Sequence, residues 1–182
     1  ASPAEENGRE ALSRIDGLTT YSTEGFMVLD MQTRRNLELF QGGRWGDASF
    51  SLLSTLNITK TPMGARLLRR WLGQPLLDPG RIDQRLDVVE WFAQSSGGCQ
   101  RASQILSPMS DLERLANRVR SGTAIPRELV ALGISLGALP QLLDVLVEGE
   151  RVDRVRWLAD RLSGSGGCSE SADLIGRAIE EE

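Results

Sequence analysis

The sequence predicts a mainly α-helical fold with one short β-hairpin near its N-terminal end. Over most of residues 51–182, apolar residues recur every three or four positions, which is the spacing of an amphipathic helix. Two of these runs open on a proline directly after a capping residue, at Thr61-Pro62 and at Asp78-Pro79. Ahead of them, residues 25–40 contain two short runs of β-forming side chains. We therefore expect a multi-helix domain that carries a small hairpin.

The size and composition fit one domain with a hydrophobic core of its own. The chain has 182 residues, of which 40% are hydrophobic and 25% charged. We expect no membrane association, because no apolar run approaches the roughly 20 residues that a bilayer requires, and we expect no secretory signal. The formal net charge of -4 disfavours a domain that grips DNA by itself. Cys99 and Cys168 follow glycines and are expected to be free thiols in surface loops, which suits a reducing cytoplasm.

The hairpin is expected over residues 25–40. Residues 25–30 (GFMVLD) and 36–40 (NLELF) are its candidate strands, and the polar residues between them form the turn. Polar side chains at this turn can contact phosphates or bases, or can bind backbone carbonyls and carboxylates, and the second role is favoured. These side chains are Arg34, Arg35 and Asn36.

About six helices are expected to follow the hairpin. After a short one at 51–56, the next begins at Thr61 and ends at Gly73 and Pro75, and a third begins at Asp78 and stops at Gly-rich residues 95–98. A Ser-x-x-Glu capping box at 110–113 and a proline at 126 predict two further starts. Pro140 either kinks the helix that starts at residue 126 or begins a new turn. The apolar stripe of the third helix is formed by Ile82, Leu86, Val89 and Phe92. Two final amphipathic helices are expected. The apolar residues of the first are Val152, Val155, Leu158, Ala159 and Leu162, and those of the second are Leu174, Ile175, Ala178 and Ile179.

Little in the sequence points to catalysis. It contains no His and no Gly-rich phosphate-binding loop. The carboxylates at 83, 87 and 90 share one helix with arginines, which favours a solvated face with helix ion pairs over a metal or acid–base site. The arginines at 66, 69 and 70 are expected on the outer face of a packed helix or at a contact between domains. No catalytic, cofactor-binding or metal-binding residue is predicted, and no DNA-contacting residue is assigned.

Two stretches resemble the opening of the core domain in the MutS family of DNA mismatch-repair proteins. The first is residues 27–40 (MVLDMQTRRNLELF) and the second is residues 51–76, with the motif TPMGARLLRRWL. Residues 82–92, 111–119 and 126–140 continue the resemblance in the same order, so that it covers about residues 10–182. The matching signature positions, expected to be structural, are Asp30, Thr33, Arg35, Asn36, Thr61, Pro62, Gly64, Arg70 and Pro75.

The resemblance implies that residues 25–182 are domain III of a MutS protein, the core and lever before the clamp insertion. Residues 1–24 would then be a linker or a helix that arrives from a connector domain, and both ends would be cuts in a longer chain. This segment is expected to couple the ATPase and DNA-clamp regions, without catalysis or cofactor of its own. The resemblance implies that the parent is a DNA-dependent ATPase with ATP and Mg²⁺, in a bacterial cytoplasm and associated with the nucleoid. Its implied partners are mismatched duplex DNA and a second MutS subunit.

Two other readings stay open at this point. One is a helical protein-interaction module unrelated to DNA repair, which a phosphate-binding loop further along the parent sequence would exclude. The other is an autonomous nucleic-acid-binding domain, although we expect the chain alone to bind duplex DNA weakly or not at all. Tight, salt-sensitive binding of duplex DNA by the chain alone in a gel mobility-shift assay would favour the nucleic-acid-binding domain. Because the returning lever segment is absent, we also expect exposed apolar residues near Leu174, Ile175 and Ile179.

Overall fold

The structure is a computed structural model that describes residues 25–43, 46–148, 152–164 and 167–179. These ranges form ten α-helices and two 3-10 helices, so the mainly helical fold is confirmed. The α-helices are α1 Met31–Asn36, α2 Leu52–Leu56, α3 Pro62–Gly73, α4 Pro79–Gln94, α5 Ser96–Leu106, α6 Leu112–Arg120, α7 Pro126–Gly137, α8 Leu139–Val147, α9 Arg156–Ser163 and α10 Gly167–Ala178. The 3-10 helices are Ala48–Phe50 and Val152–Arg154. The predicted linker at residues 1–24 lies outside the described residues.

The hairpin expected over residues 25–40 is not found in the described part of the chain. A helix, α1, occupies its centre, because the Asp30 carboxylate accepts the N–H of Thr33 at 2.6 Å and caps the first turn. The extended residues before α1 pair elsewhere, through an isolated antiparallel bridge between Phe26 and Leu76. Local alternation of apolar residues signals an extended run but does not reveal a partner that lies so far along the chain.

The two proline-marked helix starts are confirmed. The Thr61 hydroxyl oxygen accepts the N–H of Gly64 at 3.1 Å at the beginning of α3. The Asp78 carboxylate accepts the N–H of Gly80 at 2.9 Å at the beginning of α4. In both helices the proline occupies the first turn, where no helical hydrogen bond requires its missing N–H. Pro140 also begins a helix, α8, rather than kinking α7.

Helix α5 was not expected. Ser95 caps it by accepting the N–H of Gly98 at 3.3 Å, so the glycines predicted to form a loop are its first turn. A serine cap therefore outweighs the low helix propensity of two glycines. Consequently Cys99 lies on a helix and not in a loop, where it is exposed and free. Cys168 is also free and lies on a helix, α10, where it is half-buried.

The start of α6 differs by one residue from the predicted capping box. Asp111, not Ser110, is the capping residue, and its carboxylate accepts the N–H of Arg114 at 3.2 Å. The N–H of Ser110 instead donates to the Ser135 hydroxyl oxygen at 3.0 Å. Ser135 is buried on α7 and donates to the carbonyl of Ala131 at 2.8 Å. This buried hydroxyl holds the beginning of α6 against α7, since its loss would leave a half-buried N–H without an acceptor.

The main hydrophobic core is built by α4, α5, α8 and α9. The rings of Trp91 and Phe92 meet edge to face, with their centroids 4.8 Å apart. A second contact, between α6 and α7, buries Leu115 and Leu132. The buried members of the main core are Trp91, Ala102, Val145, Leu146, Val155 and Ala159.

Helix α10 packs along α7, its principal neighbour. A side chain at Gly133 would bring a Cβ within 3.1 Å of Ile175, so the glycine permits this close approach. A cleft of about 450 Å³ stays open between the two helices, and Ile175 and Ile179 line it. Leu174 is exposed, as expected for this end of the chain, whereas Ile175 and Ile179 are half-buried.

The apolar residues of α4 divide between two faces. The sequence predicted one stripe formed by Ile82, Leu86, Val89 and Phe92. In the structure Phe92 packs at the core, whereas Leu86 and Val89 are exposed. The core face is completed by Trp91, because this side of α4 lies against α5 and the second 3-10 helix.

Residues 126–147 are long and apolar enough to cross a membrane by length and composition, so the expectation that no run approaches this size was wrong. In the fold this run is two helices, α7 and α8, which are separated by Ala138. They pack against α5, α6, α9 and α10 of the same chain. These contacts cover only part of the run, since 22% of its apolar window is buried.

Candidate functional site

Arg66 links two helices that are distant in sequence, and we call the group Arg66, Asp111 and Glu113 the Arg66 junction. From α3, the guanidinium donates to both carboxylate oxygens of Asp111, at 2.6 and 2.8 Å, across 45 residues of sequence. It also donates to Glu113 Oε2 at 2.5 and 3.2 Å. The planar guanidinium suits such a paired contact with carboxylates. The junction therefore ties α3 to the first turn of α6.

The carboxylate of Asp111 is the sheltered partner of this junction. Its side chain is 12% exposed, whereas that of Glu113 is 68% exposed. The hydrogen bonds from Arg66 lower the pKa of Asp111 to about 2, burial opposes this shift, and the N–H of Arg114 lowers the pKa further. The same carboxylates raise the pKa of Arg66. Because exposed ion pairs are weak, Asp111 carries most of the contribution of the junction to stability.

Acid is expected to weaken the Arg66 junction. Asp111 has a pKa of about 2 in the folded chain and about 3.9 when unfolded. Its contribution is therefore complete above about pH 4 and is lost as the pH falls through about 2. After a discount for the half-exposed arginine, we expect this contribution to be about 1 kcal/mol at neutral pH. Urea titrations at pH 6 and pH 2.5 give the free energy of unfolding at each pH, and the difference between the two reports the loss of this contribution.

The matched variants separate the charge of Asp111 from its capping role. Asp111→Asn keeps an acceptor for the N–H of Arg114, so its unfolding free energy should fall less between pH 6 and pH 2.5 than that of the unchanged chain. Asp83→Asn removes an exposed carboxylate on α4 and should leave this fall unchanged. An equal fall in the Asp111→Asn variant and the unchanged chain would show that the junction does not depress the pKa.

A second arginine–carboxylate group fastens α6 to α7. Glu128 accepts from Arg118 at 2.6 Å and from Arg114 at 3.3 Å, and its side chain is largely covered. Burial raises the pKa of Glu128, but hydrogen bonds from the N–H of Ile125 and from Arg118 outweigh burial and lower it. Arg118 also donates to the carbonyl of Thr123 at 2.7 Å. The turn between the two helices is thus held from both sides.

The carboxylate face of α4 is also used between elements. Arg154, from the second 3-10 helix, forms ion pairs with Asp87 at 3.7 Å and with Glu90. The predicted ion-paired face exists, but its arginine comes from a distant part of the chain and not from α4 itself. Among the residues that the structure describes, no group of three His, Cys, Asp or Glu side chains is arranged to hold a metal ion.

A cluster of arginines lies where α3 meets α4. The guanidinium of Arg85 stacks over the ring of Trp71, 3.8 Å from its centroid. Burial lowers the pKa of Arg85, and repulsion from Arg81 and Arg70 lowers it further. No ion pair involves these three arginines within the described ranges. This surface therefore carries positive charge that the described part of the chain does not neutralise.

Comparison with known proteins identifies the family. The profile of MutS domain III matches residues 32–182. The chain belongs to the MutS family. The DNA mismatch repair protein MutS of Methanosarcina mazei is 42% identical over 171 residues, which is 94% of this chain and 19% of the relative.

Bacterial proteins of the same name are similar over most of the chain. MutS of Synechococcus sp. (strain JA-2-3B'a(2-13)) is 50% identical over 131 residues, which is 72% of this chain and 15% of that relative. MutS of Chlorobaculum parvum is 43% identical over 156 residues, which is 86% of this chain and 17% of that relative. The chain thus spans less than a fifth of the length of these MutS relatives.

The positions near the N-terminal end that the sequence analysis predicted to be signature positions lie in α1 and its surroundings. Asp30 caps α1, and this hydrogen bond from the Thr33 N–H lowers the pKa of its carboxyl. Asn36 accepts from the Gln32 side chain at 2.8 Å. Arg35 is exposed, and its backbone carbonyl accepts the N–H of Glu38 at 3.0 Å.

The neighbouring Arg34 was predicted to bind either phosphates or the protein itself. It donates to the carbonyls of Leu29 at 3.0 Å and Gly73 at 3.3 Å. The second carbonyl lies at the end of α3. Arg34 therefore braces the α1 region against α3, in agreement with the favoured structural role.

The other predicted signature positions lie in α3 or close to its two ends. Thr61 and Pro62 form its start, and a Cβ at Gly64 would lie 3.0 Å from the Thr61 hydroxyl oxygen. Arg70 is exposed, and the carbonyl of Pro75 accepts the N–H of Met27 at 2.8 Å. The sequence did not single out Arg66, Asp111 or Arg154 as linking residues, since neither spacing nor composition reveals pairs so far apart.

Proposed function

We propose that this chain is the structural and signal-transmitting core and lever segment of a MutS-type mismatch-repair ATPase. The observation that carries the proposal is the set of charged links between helices that are distant in sequence. The Arg66 junction joins α3 to α6, and Glu128 joins α6 to α7. Arg154 joins the second 3-10 helix to α4, and Arg101 pairs with Glu148 at the end of α8.

These links supplement a close-packed interior that runs through α4, α5, α8 and α9. Packed interiors deform little, so a displacement at one end of such a body moves the other end as well. Coupling between two sites requires an element whose arrangement both sites can bias. In this proposal the helices of the chain are that element, and the chain carries out no catalytic step of its own. The absence of His from the sequence supports this part of the proposal.

The other activities of the proposal belong to the longer protein. Its ATPase would use ATP and Mg²⁺ outside this segment, and its partners would be mismatched duplex DNA and a second MutS subunit. It would act in the cytoplasm of a bacterium, in association with the nucleoid. The names of the relatives, the DNA mismatch repair proteins MutS, support the mismatch-repair part of this proposal.

Inserting a Gly-Gly pair after Leu86 tests the coupling role in an intact MutS protein that contains this segment. The insertion interrupts α4 and rotates its two halves relative to each other. We expect ATP-driven release from mismatched DNA to slow by about tenfold or more, which is within the usual range of coupling between sites. Release is measured by stopped-flow fluorescence with a labelled mismatched duplex.

Two further variants make the outcome specific. The same insertion after Ile58 lengthens the exposed segment between α2 and α3, which contains none of these links, and should change release little. Arg66→Gln cuts the Arg66 junction without interrupting a helix and should slow release to a smaller degree. Unchanged release in the α4 insertion variant, with mismatch affinity retained, would exclude α4 from the coupling.

A further inference from the structure

Residues 25–85 are net positive in a chain that is negative overall. They contain nine of its 21 Lys and Arg residues but five of its 25 Asp and Glu residues, whereas the formal charge of the whole chain is -4. Such an uneven distribution of charge indicates a partner of opposite charge for the positive part.

Most carboxylates of this part of the chain bind backbone N–H groups and leave the arginines unpaired. Asp30, Asp47 and Asp78 each accept an N–H group at the start of a helix. Glu38 accepts one in a loop. None of these four carboxylates has an arginine partner in the part of the chain that the structure describes.

Three arginines meet where α3 ends and α4 begins, and we call Arg70, Arg81 and Arg85 the α3–α4 arginine surface. Arg85 is held over the ring of Trp71, with its guanidinium carbon 3.8 Å from the centroid. Arg81 lies one turn away on α4, about 6 Å along the helix axis. Both Arg81 and Arg70 are close enough to Arg85 to lower its pKa. Arg70 and Arg81 are exposed, so this surface is open to a ligand.

Asp83 lies between two of these arginines in sequence but on another side of α4. A step of two residues turns a helix by about 200°, so Asp83 faces nearly away from Arg81 and Arg85. Within the described ranges no ion pair offsets the repulsion among the three arginines. A ligand that brings several negative charges at once would therefore be attracted to this surface.

The phosphate groups of a nucleic acid match the α3–α4 arginine surface. All three of its cations are guanidinium groups, which bind phosphate through paired hydrogen bonds. Duplex DNA carries one charge for about every 1.7 Å of its axis, so several phosphates face cations that are about 6 Å apart. An acidic protein segment reaches such a charge density only in an unbroken run of carboxylates.

We infer that the α3–α4 arginine surface binds the sugar–phosphate backbone of duplex DNA, without preference for a sequence or for a mismatch. Phosphate contacts position a protein on a duplex but carry no sequence information. The choice of DNA among polyanions rests on the proposed mismatch-repair function, whereas the anion-binding surface does not. With three contacts on a chain of charge -4, the binding is weak at physiological salt, in keeping with the weak DNA binding expected for the chain alone.

Fluorescence anisotropy of a labelled, fully paired duplex tests the inference with the 182-residue chain. Three phosphate contacts predict a slope of about -2.7 for the logarithm of the association constant against that of the salt concentration. The affinity should therefore fall about 40-fold between 50 and 200 mM KCl. The triple variant Arg70→Gln, Arg81→Gln and Arg85→Gln should bind about tenfold more weakly at 50 mM KCl and lose most of this salt dependence.

The matched control removes the same amount of charge from the other half of the chain, through Arg127→Gln, Arg161→Gln and Arg177→Gln. These arginines also form no ion pair among the described residues, and the guanidinium of Arg161 likewise lies over a tryptophan ring. The control should keep most of the affinity and of the slope. Circular dichroism checks that both variants retain the helical fold. Equal weakening by the two triple variants, or no binding by the unchanged chain at 50 mM KCl, would overturn the inference.

Two further ligands define what the surface recognises. A duplex with one mismatch should bind as tightly as the paired duplex, and a clear preference for the mismatch would contradict backbone binding. Polyglutamate at the same concentration of charge should compete less well than unlabelled duplex. Equal competition would instead make an acidic protein segment the ligand. A failure to bind DNA counts against this surface alone, because the coupling role is tested by ATP-driven release in the intact protein.

Discussion

Trp91→Ala is expected to lower the free energy of unfolding by about 3–5 kcal/mol. Trp91 is 5% exposed and belongs to the main core, where its ring meets Phe92 edge to face. Truncation removes this contact and leaves a cavity that the surrounding helices can fill only in part. For a chain of this length the loss corresponds to a fall of roughly 10 °C in Tm. Urea titration and thermal unfolding, both followed by circular dichroism, measure the two quantities.

Trp71→Ala is the matched control for this experiment. Trp71 is 39% exposed and lies under the guanidinium of Arg85, at the edge of α3. Its truncation removes a cation–π contact and part of a packed surface, so we expect a loss of about 1 kcal/mol. A loss as large as that of Trp91→Ala would contradict the location of the core between α4 and α9.

Gly42→Ala is expected to cost about 2–3 kcal/mol, because the added methyl group has no room. A Cβ on Gly42 would lie 2.1 Å from the carbonyl oxygen of Phe50, which is a backbone atom and cannot rotate away. The N–H of Gly42 donates to the carbonyl of Asp47 at 2.9 Å and closes this loop. The substitution must therefore displace the loop or the 3-10 helix Ala48–Phe50. The midpoint of urea unfolding gives the change in stability.

Gly97→Ala makes the same chemical change where space is available. Gly97 lies in the first turn of α5, and nothing lies within 4 Å of its added Cβ. Because alanine favours a helix over glycine, this variant should gain about 0.5–1 kcal/mol. Destabilisation by both substitutions to a similar degree would show that the approach of Phe50 to Gly42 is not the cause.

The extent of agreement between sequence and structure differs from element to element for physical reasons. The starts of α3 and α4 were predictable, because Thr61 and Asp78 cap a helix through N–H groups two or three residues away. The same local chemistry at Asp30 begins α1, but the β-forming residues around it suggested strands instead. At α5 the glycines at 97 and 98 suggested a loop, although Ser95 provides a cap. In both cases a side chain that caps a helix competed with neighbouring residues that disfavour a helix, and the outcome depends on the surrounding packing.

The charged links between helices were difficult to predict from the sequence for a different reason. The chain contains 21 Lys and Arg residues and 25 Asp and Glu residues, so spacing alone offers many plausible partners to each arginine. On α4, Asp87 and Glu90 could pair with arginines of the same helix, yet Arg154 binds them from a distant element. Arg66 likewise binds Asp111 across 45 residues of sequence. Such pairs follow from the path of the whole chain.

The helical class, the capped starts of α3 and α4 and the resemblance to MutS, which the family comparison confirmed, follow from the sequence alone. These features depend on residues that are close together along the chain, where hydrogen-bond reach and helical spacing are set by covalent geometry. In contrast, the face of α4 that enters the core and the carboxylates that Arg66 and Arg154 bind became clear from the folded chain. Those outcomes depend on how helices pack in space, and packing is a property of all the contacts together.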